Sequence, residues 1–188
     1  MIKRTLAVLG TFAIAACTHP DVDGPATVDA FDVERYLGHW HQVAFIPNRF
    51  QEQCIGGATA EYARVDDDRI AVVNACETKD GIERVEGMAR FTAAPEEGKL
   101  EVAFVEVAGL WLWLAAGDYW VMDVGPNYGW ALVGHPRREY GWILARQPEL
   151  DDASLVQFAK RLEARGYDPC RFVVTTPDRP RDPLCEVT

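Results

Sequence analysis

Residues Phe31–Trp40, FDVERYLGHW, are the most informative about the fold, because a polar segment there ends in a glycine two residues before a tryptophan. Trp40 opens a run rich in β-forming residues that is closed by Pro47, so this run predicts the first strand of a sheet. Gly38 allows a sharp turn beneath that strand. A tryptophan at the first inward position would close the bottom of a barrel. The best candidate for a cation over its ring is Arg146, at the end of the last strong strand.

Further short runs of β-forming residues follow, each separated from the next by turn residues. With the first run included, they span residues 39–46, 58–65, 69–76, 84–92, 99–107, 118–124, 130–134 and 140–146. This spacing predicts an all-β fold, an eight-stranded up-and-down antiparallel barrel. Pro148 breaks the pattern, and Asp151 or Asp152 can cap one C-terminal helix that packs on the outside of the barrel. Residues 172–174 would add a short ninth strand.

Three motifs then occur in a fixed order. They are Gly38-x-Trp40, Met122-Asp123 with Tyr128, and Trp142–Arg146 (WILAR). Together they resemble the signature of the lipocalins, and FDVERYLGHW and WILARQP are especially similar to the bacterial lipocalins. The resemblance covers residues 29–177 and implies a barrel that binds a fatty acid, a lysophospholipid or a similar amphiphile. It also implies a role in storing, transporting or repairing envelope lipid.

The N-terminus predicts a lipoprotein signal peptide over residues 1–16. Its apolar run, residues 6–14, is too short to span a bilayer as a helix, and Ile14-Ala15-Ala16-Cys17 resembles a bacterial lipobox. Cleavage before Cys17 would leave this thiol to be acylated; an ordinary signal site followed by a leftover cysteine is the alternative. Thr18 resembles the pattern of lipoproteins sent to the outer membrane, so we expect a lipid-anchored protein on its periplasmic side.

The mature chain divides into three parts on this interpretation. These are a flexible polar tether over residues 17–30, the barrel with its helix over 31–177, and a tail over 178–188. The full chain carries a formal net charge of −10, and the loss of Lys3 and Arg4 makes it −12. Such an acidic surface argues against nucleic acid as a partner and against adhesion to anionic lipid. The acyl chains at Cys17 must therefore hold the protein to the membrane.

Four cysteines remain in an oxidising compartment: Cys54, Cys76, Cys170 and Cys185. The strand assignment places Cys54 in the first loop at the barrel mouth and Cys76 at the mouth end of the third strand. Proximity therefore favours Cys54 with Cys76, which leaves Cys170 with Cys185. Some lipocalins instead join the first-loop cysteine to a tail cysteine, which here would pair Cys54 with Cys185. A catalytic thiol pair is not favoured, since no C-x-x-C spacing occurs.

Strand alternation predicts an apolar and aromatic lining for a ligand cavity. The inward residues that we expect to bind the ligand are Ala44, Ile46, Leu100, Val102, Phe104, Trp120, Met122, Trp130, Leu132, Tyr140 and Trp142. A barrel of this size has room for one small ligand, although the same residues could fill a solid core. The resemblance favours a cavity. Near the mouth, Tyr140 or Arg49 and Arg137 would orient a polar head group.

The loop Gly109–Ala116, GLWLWLAA, is apolar where a barrel mouth should be polar. It could cover the cavity as a lid, dip into the membrane interface, or meet a second copy of the chain in a homodimer. Alternatively, the neighbouring strands are longer and the loop belongs to the core. We prefer a membrane-facing lid. Trp111 and Trp113 also allow a second function, a structural lipoprotein with a filled barrel that docks on a partner through this loop.

The remaining candidates for chemistry are few. His39 and His41 share one strand face, but two histidines beside a barrel base are more typical of surface side chains than of a metal or haem site. The sequence has no serine nucleophile elbow, P-loop or dinucleotide fingerprint. We therefore predict a binding protein without cofactor or metal, and not an enzyme.

Overall fold

The computed structural model describes residues 24–176 and 181–187 of the 188-residue chain. The predicted signal peptide and the predicted acylation site at Cys17 lie outside these residues, as do the first part of the predicted tether and part of the tail.

Eight of the strands in the described part of the chain close into one antiparallel barrel, as the sequence predicted. The strands up to residue 145 are β1 (Gly38–Phe45), β2 (Gly56–Arg64), β3 (Arg69–Thr78), β4 (Gly81–Phe91), β5 (Lys99–Ala103), β6 (Glu106–Val107), β7 (Leu110–Trp111), β8 (Gly117–Val124), β9 (Trp130–Gly134) and β10 (Gly141–Ala145). The short strands β6 and β7 form a separate hairpin. β10 pairs with β9 on one edge and with β1 on the other, and this second pairing closes the sheet.

The antiparallel order gives the barrel two different ends. The turns between β2 and β3, β4 and β5, and β8 and β9 lie with Gly38 and Trp40 at what we call the closed end. The connections 46–55, 79–80, 104–116 and 135–140 lie at the opposite, open end.

The first strand divides its pairing between two partners. β1 pairs with β2 over Gly38–His41, and on the same edge Ala44 and Phe45 pair with β11 (Val173–Val174). The register against β10 shifts between Gln42 and Ala44, so the strand carries a bulge. A bulge adds one residue to a strand and reverses which face the following side chains occupy.

A helix covers one side of the barrel. α2 (Asp152–Glu163) begins after Asp151, whose carboxylate accepts a hydrogen bond from the Ser154 N–H at 2.8 Å. Its buried side chains, Leu155, Phe158 and Leu162, pack on the outer wall, as the sequence predicted. A single turn, α1 (Val33–Tyr36), precedes β1. In the described ranges, neither helix has the length and apolar character needed to cross a membrane.

The flexible tether predicted for residues 17–30 is already packed from residue 24, which corrects that expectation for its second half. Pro25 is buried, and the Val28 N–H donates to the carbonyl of Val121 at 3.1 Å. The Phe31 N–H donates to the carbonyl of Glu96 at 2.8 Å. Residues 24–30 therefore lie against the barrel, through backbone hydrogen bonds that composition does not reveal and through the side chain of Val28.

Candidate ligand-binding site

Arg146 and Trp40 close the barrel floor. The guanidinium carbon lies 3.7 Å from the centre of a Trp40 ring that is fully buried, which is the arrangement predicted from the sequence. The Nη atoms also donate to the carbonyls of Arg35 and Leu37, each at 2.9 Å, and of His39 at 2.7 Å. Burial lowers the pKa of Arg146, since desolvation disfavours its charge. The ring face and the carbonyls offset this cost, so the side chain locks α1 and β1 together.

Gly38 is the turn that allows this closure. Its φ is +91°, in the left-handed region where other residues are strained. A β carbon at this position would also face Nη1 of Arg146 at 3.6 Å. The floor therefore requires glycine for its backbone conformation rather than for space.

Three tyrosine hydroxyls meet beside Trp40. The hydroxyl of Tyr119 lies 2.6 Å from that of Tyr36 and 2.8 Å from that of Tyr62. Burial raises the pKa of each phenol well above its ordinary value, for Tyr62 to about 12, so all three stay protonated. The sequence interpretation did not include this cluster. The available sequence signal was in β2, where Ala60 and Tyr62 are two residues apart and therefore lie on the same face of the strand.

Several predicted lining residues do lie on the inner side of the barrel. Leu100 and Val102 belong to the buried inner cluster, and Trp142 packs against it. The ring of Phe104 fills the place of a β carbon on Gly87, 2.7 Å from it, and Gly87 pairs with the inward Val72. Phe104 is therefore on the inner side, where it stays 41% exposed at the open end.

The predicted inward direction is wrong for the lining residues of β8 and β9. Trp130, Leu132 and Met122 pack with α2 on the outside, and the Trp130 ring lies 5.1 Å from that of Phe158. Ala131 and Val133 face inward instead. β9 is apolar on both faces because the helix covers its outer face, so alternation gave no sign of direction.

Trp120 and the residues of β1 require the same correction. Tyr119 and Val121 belong to the inner side, so Trp120 faces outward, with the Lys99 ammonium 5.3 Å from its ring centre. β8 also has a register shift between Val121 and Asp123. In β1 the bulge turns Ala44 and Ile46 toward the cluster under α2.

The same bulge sets the direction of the neighbouring β1 side chains. Val43 packs under α2, whereas Phe45 pairs with the inward Trp142.

An aromatic column follows one inner wall from the floor to the mouth. The Tyr140 and Trp142 rings stack with centres 6.1 Å apart, and Trp142 and Tyr119 stack at 6.5 Å. The indole N–H of Trp142 donates to Oε1 of Gln51 at 3.1 Å, and the Gln51 amide donates to Oε1 of Gln42 at 2.8 Å. This wall thus combines stacked rings with amides, whereas Val72 and Val102 give other parts of the lining an aliphatic surface.

Comparison with known proteins agrees with this geometry. A model of the lipocalin-like domain family matches residues 31–177. The chain belongs to the lipocalin family. It is 34% identical over 176 residues to the outer membrane lipoprotein Blc of Escherichia coli (strain K12), covering 92% of this chain and 95% of the relative. It is 35% identical over 143 residues to temperature-induced lipocalin-1 of Arabidopsis thaliana, covering 75% and 76%.

A solved structure shows the same fold at lower identity. Insecticyanin from the tobacco hornworm Manduca sexta superposes with a TM-score of 0.64 at 19% identity, covering 84% of this chain and 87% of insecticyanin. At this identity the likeness supports the fold alone.

The disulfides of this lipocalin fix its mouth and its tail. Cys54 pairs with Cys76 and Cys170 with Cys185, which is the pairing that proximity favoured. The first bond ties the loop between β1 and β2 to the end of β3. The second ties the turn Pro169–Arg171 to the C-terminal residues.

The cations predicted near the mouth are in different environments. The Arg137 guanidinium donates to Glu139 at 2.9 Å, and this carboxylate raises the pKa of Arg137. The Arg49 guanidinium lies 4.8 Å from the centre of the Phe50 ring. Tyr140 stands at the open end of the aromatic column.

The loop Gly109–Ala116 is not part of the core, so that alternative is wrong. Leu114 is 96% exposed and Leu110 is 73% exposed. Trp113 is half-buried because Arg90 lies 4.1 Å from its ring centre. Arg90 follows the inward Ala89 and so lies on the outer face of β4, which places Trp113 against the outer wall and not over the lumen.

The histidines beside the barrel base and a groove outside the closed end are not part of this site. The rings of His39 and His41 meet edge to face with centres 4.8 Å apart outside the barrel, where Nδ1 of His39 lies 3.1 Å from Glu61. Within residues 24–176 and 181–187, no group of three or more His, Cys, Asp or Glu side chains could hold a metal ion. An open groove outside the closed end, between residues 30–35 and 124–128, contains none of the predicted lining residues.

Proposed function

We propose that this lipocalin is a lipid-anchored binding protein on the periplasmic side of the outer membrane. Its barrel would hold one fatty acid, lysophospholipid or similar amphiphile for storage or transport. The main support is that inner side chains near the open end stay accessible to solvent, whereas the floor of the barrel below them is sealed.

Solvent exposure differs between the floor and the mouth. At the floor, Trp40 and Ala131 are fully buried and Ile70 is nearly so. Toward the mouth, Phe104 and Val85 are 41% and 44% exposed, although Val85 is at an inward position of β4 and the Phe104 ring packs over Gly87. A cup with an apolar, aromatic wall and an open top fits a long acyl chain.

The polar end of such a ligand should lie at the mouth. At the floor, the hydroxyls of Tyr36, Tyr62 and Tyr119 already bond one another, and Arg146 is occupied by backbone carbonyls. Glu139 engages Arg137, so Arg49 and Tyr140 are the stronger candidates to contact a carboxylate or phosphate.

The anchor and the location are supported by sequence and by similarity. Cys17 follows a lipobox-like stretch, and a relative that matches 92% of the chain is named an outer membrane lipoprotein. Replacement Cys17→Ser should therefore prevent labelling by a radioactive fatty acid and abolish the mature, acylated form. Labelling that persists in the variant would contradict acylation at this residue.

Contact quenching can test the binding site directly. Delipidated protein titrated with a stearic acid brominated in mid-chain should lose tryptophan fluorescence with about one-to-one stoichiometry, since bromine quenches only rings that it touches. Trp142 lines the lumen, whereas Trp130 lies outside under α2. Replacement Trp142→Phe should remove most of the quenching, and the matched control Trp130→Phe should leave it.

Two results would overturn the proposal. Absence of saturable quenching in the parent protein would exclude a fatty-acid site. Equal loss of quenching in the Trp142 and Trp130 variants would place the ligand outside the barrel.

A further inference from the structure

Exposed apolar side chains are concentrated at the open end of the barrel. Of eleven large hydrophobic residues that are exposed in the described chain, Val65 is the one at the closed end. The others are Phe50, Ile55, Ile82, Val85, Phe104, Val105, Val107, Leu110, Leu112 and Leu114. They come from two separate connections, 46–55 and 104–116, and from the adjoining end of β4. We call the six that are most exposed, Phe50, Ile55, Ile82, Val107, Leu110 and Leu114, the apolar rim.

The closed end has the opposite character. Its turns contain Asp66–Asp68 and Pro95–Glu97, and their exposed side chains include the carboxylates of Asp67, Asp68 and Glu96. The asymmetry is therefore not a general feature of the surface. Separate apolar side chains that protrude from loops at one end of a protein are typical of a surface that enters a lipid bilayer.

The N-terminal segment connects this rim to the anchor. Gly24 lies against Trp120 and Pro136, and Pro136 belongs to the connection between β9 and β10 at the open end. From there the chain passes Val121 and reaches Glu96 in a closed-end turn at Phe31. The segment therefore runs down the outer wall, and Gly24, its first described residue, lies near the mouth.

The length of the preceding chain limits where an anchor can be. Cys17 is seven residues before Gly24, and seven extended residues span at most about 25 Å. An acyl group on Cys17 would therefore hold the mouth, and not the closed end, close to the membrane. This step depends on the proposed acylation; the apolar rim does not.

We propose that the open end of this lipocalin is a membrane-docking surface, in which the apolar rim enters the interface of the bilayer that holds the anchor. The chain is acidic, with a net charge of −10, so attraction to anionic head groups cannot drive the contact. Apolar insertion into a zwitterionic lipid surface requires no such attraction. The docked mouth opens directly onto lipid, so an amphiphile enters the barrel without crossing water.

A pair of reporter variants tests the orientation. Leu114→Trp places an indole in the apolar rim, and the matched control Val65→Trp places one at an exposed apolar position of the closed end, where Val65 is 48% exposed. The mature proteins are mixed with phosphatidylcholine vesicles whose acyl chains are brominated near the head group. The added fluorescence should fall about twofold or more for Leu114→Trp and stay unchanged for Val65→Trp.

A second pair tests whether the rim provides the affinity. Leu110→Asp combined with Leu114→Asp should lower the vesicle-bound fraction of protein without acyl chains at least about fivefold, whereas Val65→Asp should not. Both sites are exposed, so the variants should fold as the parent does. Binding of the brominated fatty acid should persist in both, which separates a failure of docking from a failure of the proposed ligand site.

Three outcomes would overturn the docking proposal. Equal quenching of the two reporters would mean that the protein has no preferred end at the membrane. No quenching of the Leu114→Trp reporter would mean that the rim stays in water. Dimerisation that is lost in the Leu110 and Leu114 variants, without vesicle binding by the parent, would make the rim an interface between two copies of the chain.

Discussion

The closed and the open end of the barrel are built from the same strands but differ in what their side chains contact. At the closed end, Trp40 is fully buried, and Arg146 packs on its ring and donates to the backbone carbonyls of Arg35, Leu37 and His39, among others. At the open end, Leu110 and Leu114 contact mainly solvent. The difference indicates that the floor supplies stability, whereas the mouth is available for ligand and membrane.

The two ends of the barrel should also differ in how much their side chains contribute to stability. Removing a buried aromatic side chain costs its transfer free energy and leaves a cavity. An exposed side chain has neither term, so changing it affects stability little. Substitutions that are matched between the two ends should therefore separate folding from function.

The largest expected effect is at the floor. Replacement Trp40→Ala should lower the free energy of unfolding by about 3–5 kcal/mol, since it leaves a cavity and removes the indole from Arg146 and from the Tyr36 carbonyl. Urea denaturation with the disulfides intact would measure the loss.

The control is an aromatic residue that also packs against an arginine, but at the open end. Trp113 is half-buried beside Arg90, and Trp113→Ala should cost less than about 1 kcal/mol. Similar losses for the two variants would refute the contrast between the ends.

A smaller loss of stability is expected when a disulfide is removed, and the effect on ligand binding should differ between the two bonds. The bonds close chain separations of 22 and 15 residues, so removal of either should cost about 3 kcal/mol by the loop-entropy relation. Paired serine replacements at Cys54 and Cys76 should also weaken fatty-acid binding, because this bond holds a mouth loop. The pair at Cys170 and Cys185 should leave binding unchanged.

Denaturation and ligand titration of both double variants would check this expectation. Equal loss of affinity in the two would show that the mouth is not organised by its own disulfide.

The smallest effect concerns pH at the open end. Burial lowers the pKa of His135 from its usual 6.5, although Asp118 and Glu139 act in the opposite direction and Arg137 adds to the lowering. The folded state thus binds this proton less readily than the unfolded state. The contribution of His135 to stability is therefore present above pH 6.5 and decreases as the pH falls from 6.5 toward the lowered value.

A single variant can isolate the contribution of His135 to the pH dependence of stability. His135→Asn removes the titrating group and keeps an acceptor for the Arg137 N–H, which bonds Nδ1 at 3.2 Å. The variant should lose less stability between pH 7 and 5 than the parent. His41, whose pKa burial also lowers, stays in both proteins, so a residual decrease is expected. An imidazole titration midpoint for His135 above 6.5, followed by NMR, would reverse the predicted sign.

Sequence patterns located the strands and the floor because each was marked by local chemistry. Turn residues bounded every barrel strand, and Gly38, Trp40 and Arg146 have functions that few other residue types can serve. Inward direction was correct on β5, where Leu100 and Val102 alternate with charged residues. One face of that strand meets solvent, so hydrophobicity itself distinguishes the two faces.

Direction was wrong where the second face is also buried. α2 covers the outside of β8, β9 and part of β1, which makes Trp130, Leu132 and Met122 as apolar as true lining residues. The bulge in β1 reverses the face of the sheet that Ala44 and Ile46 occupy. The register shift in β8 interrupts the inward–outward alternation near Trp120. The hydroxyl cluster of Tyr36, Tyr62 and Tyr119 was missed because its members come from three distant segments.

Residue type and order along the chain were enough to predict the barrel and its sealed end, and they favoured the cysteine pairing over its alternative. Only the three-dimensional structure showed which side chains face the lumen and how residues 24–30 lie on the barrel. Both depend on what packs against the outer wall, and those contacts join residues that are far apart in the sequence.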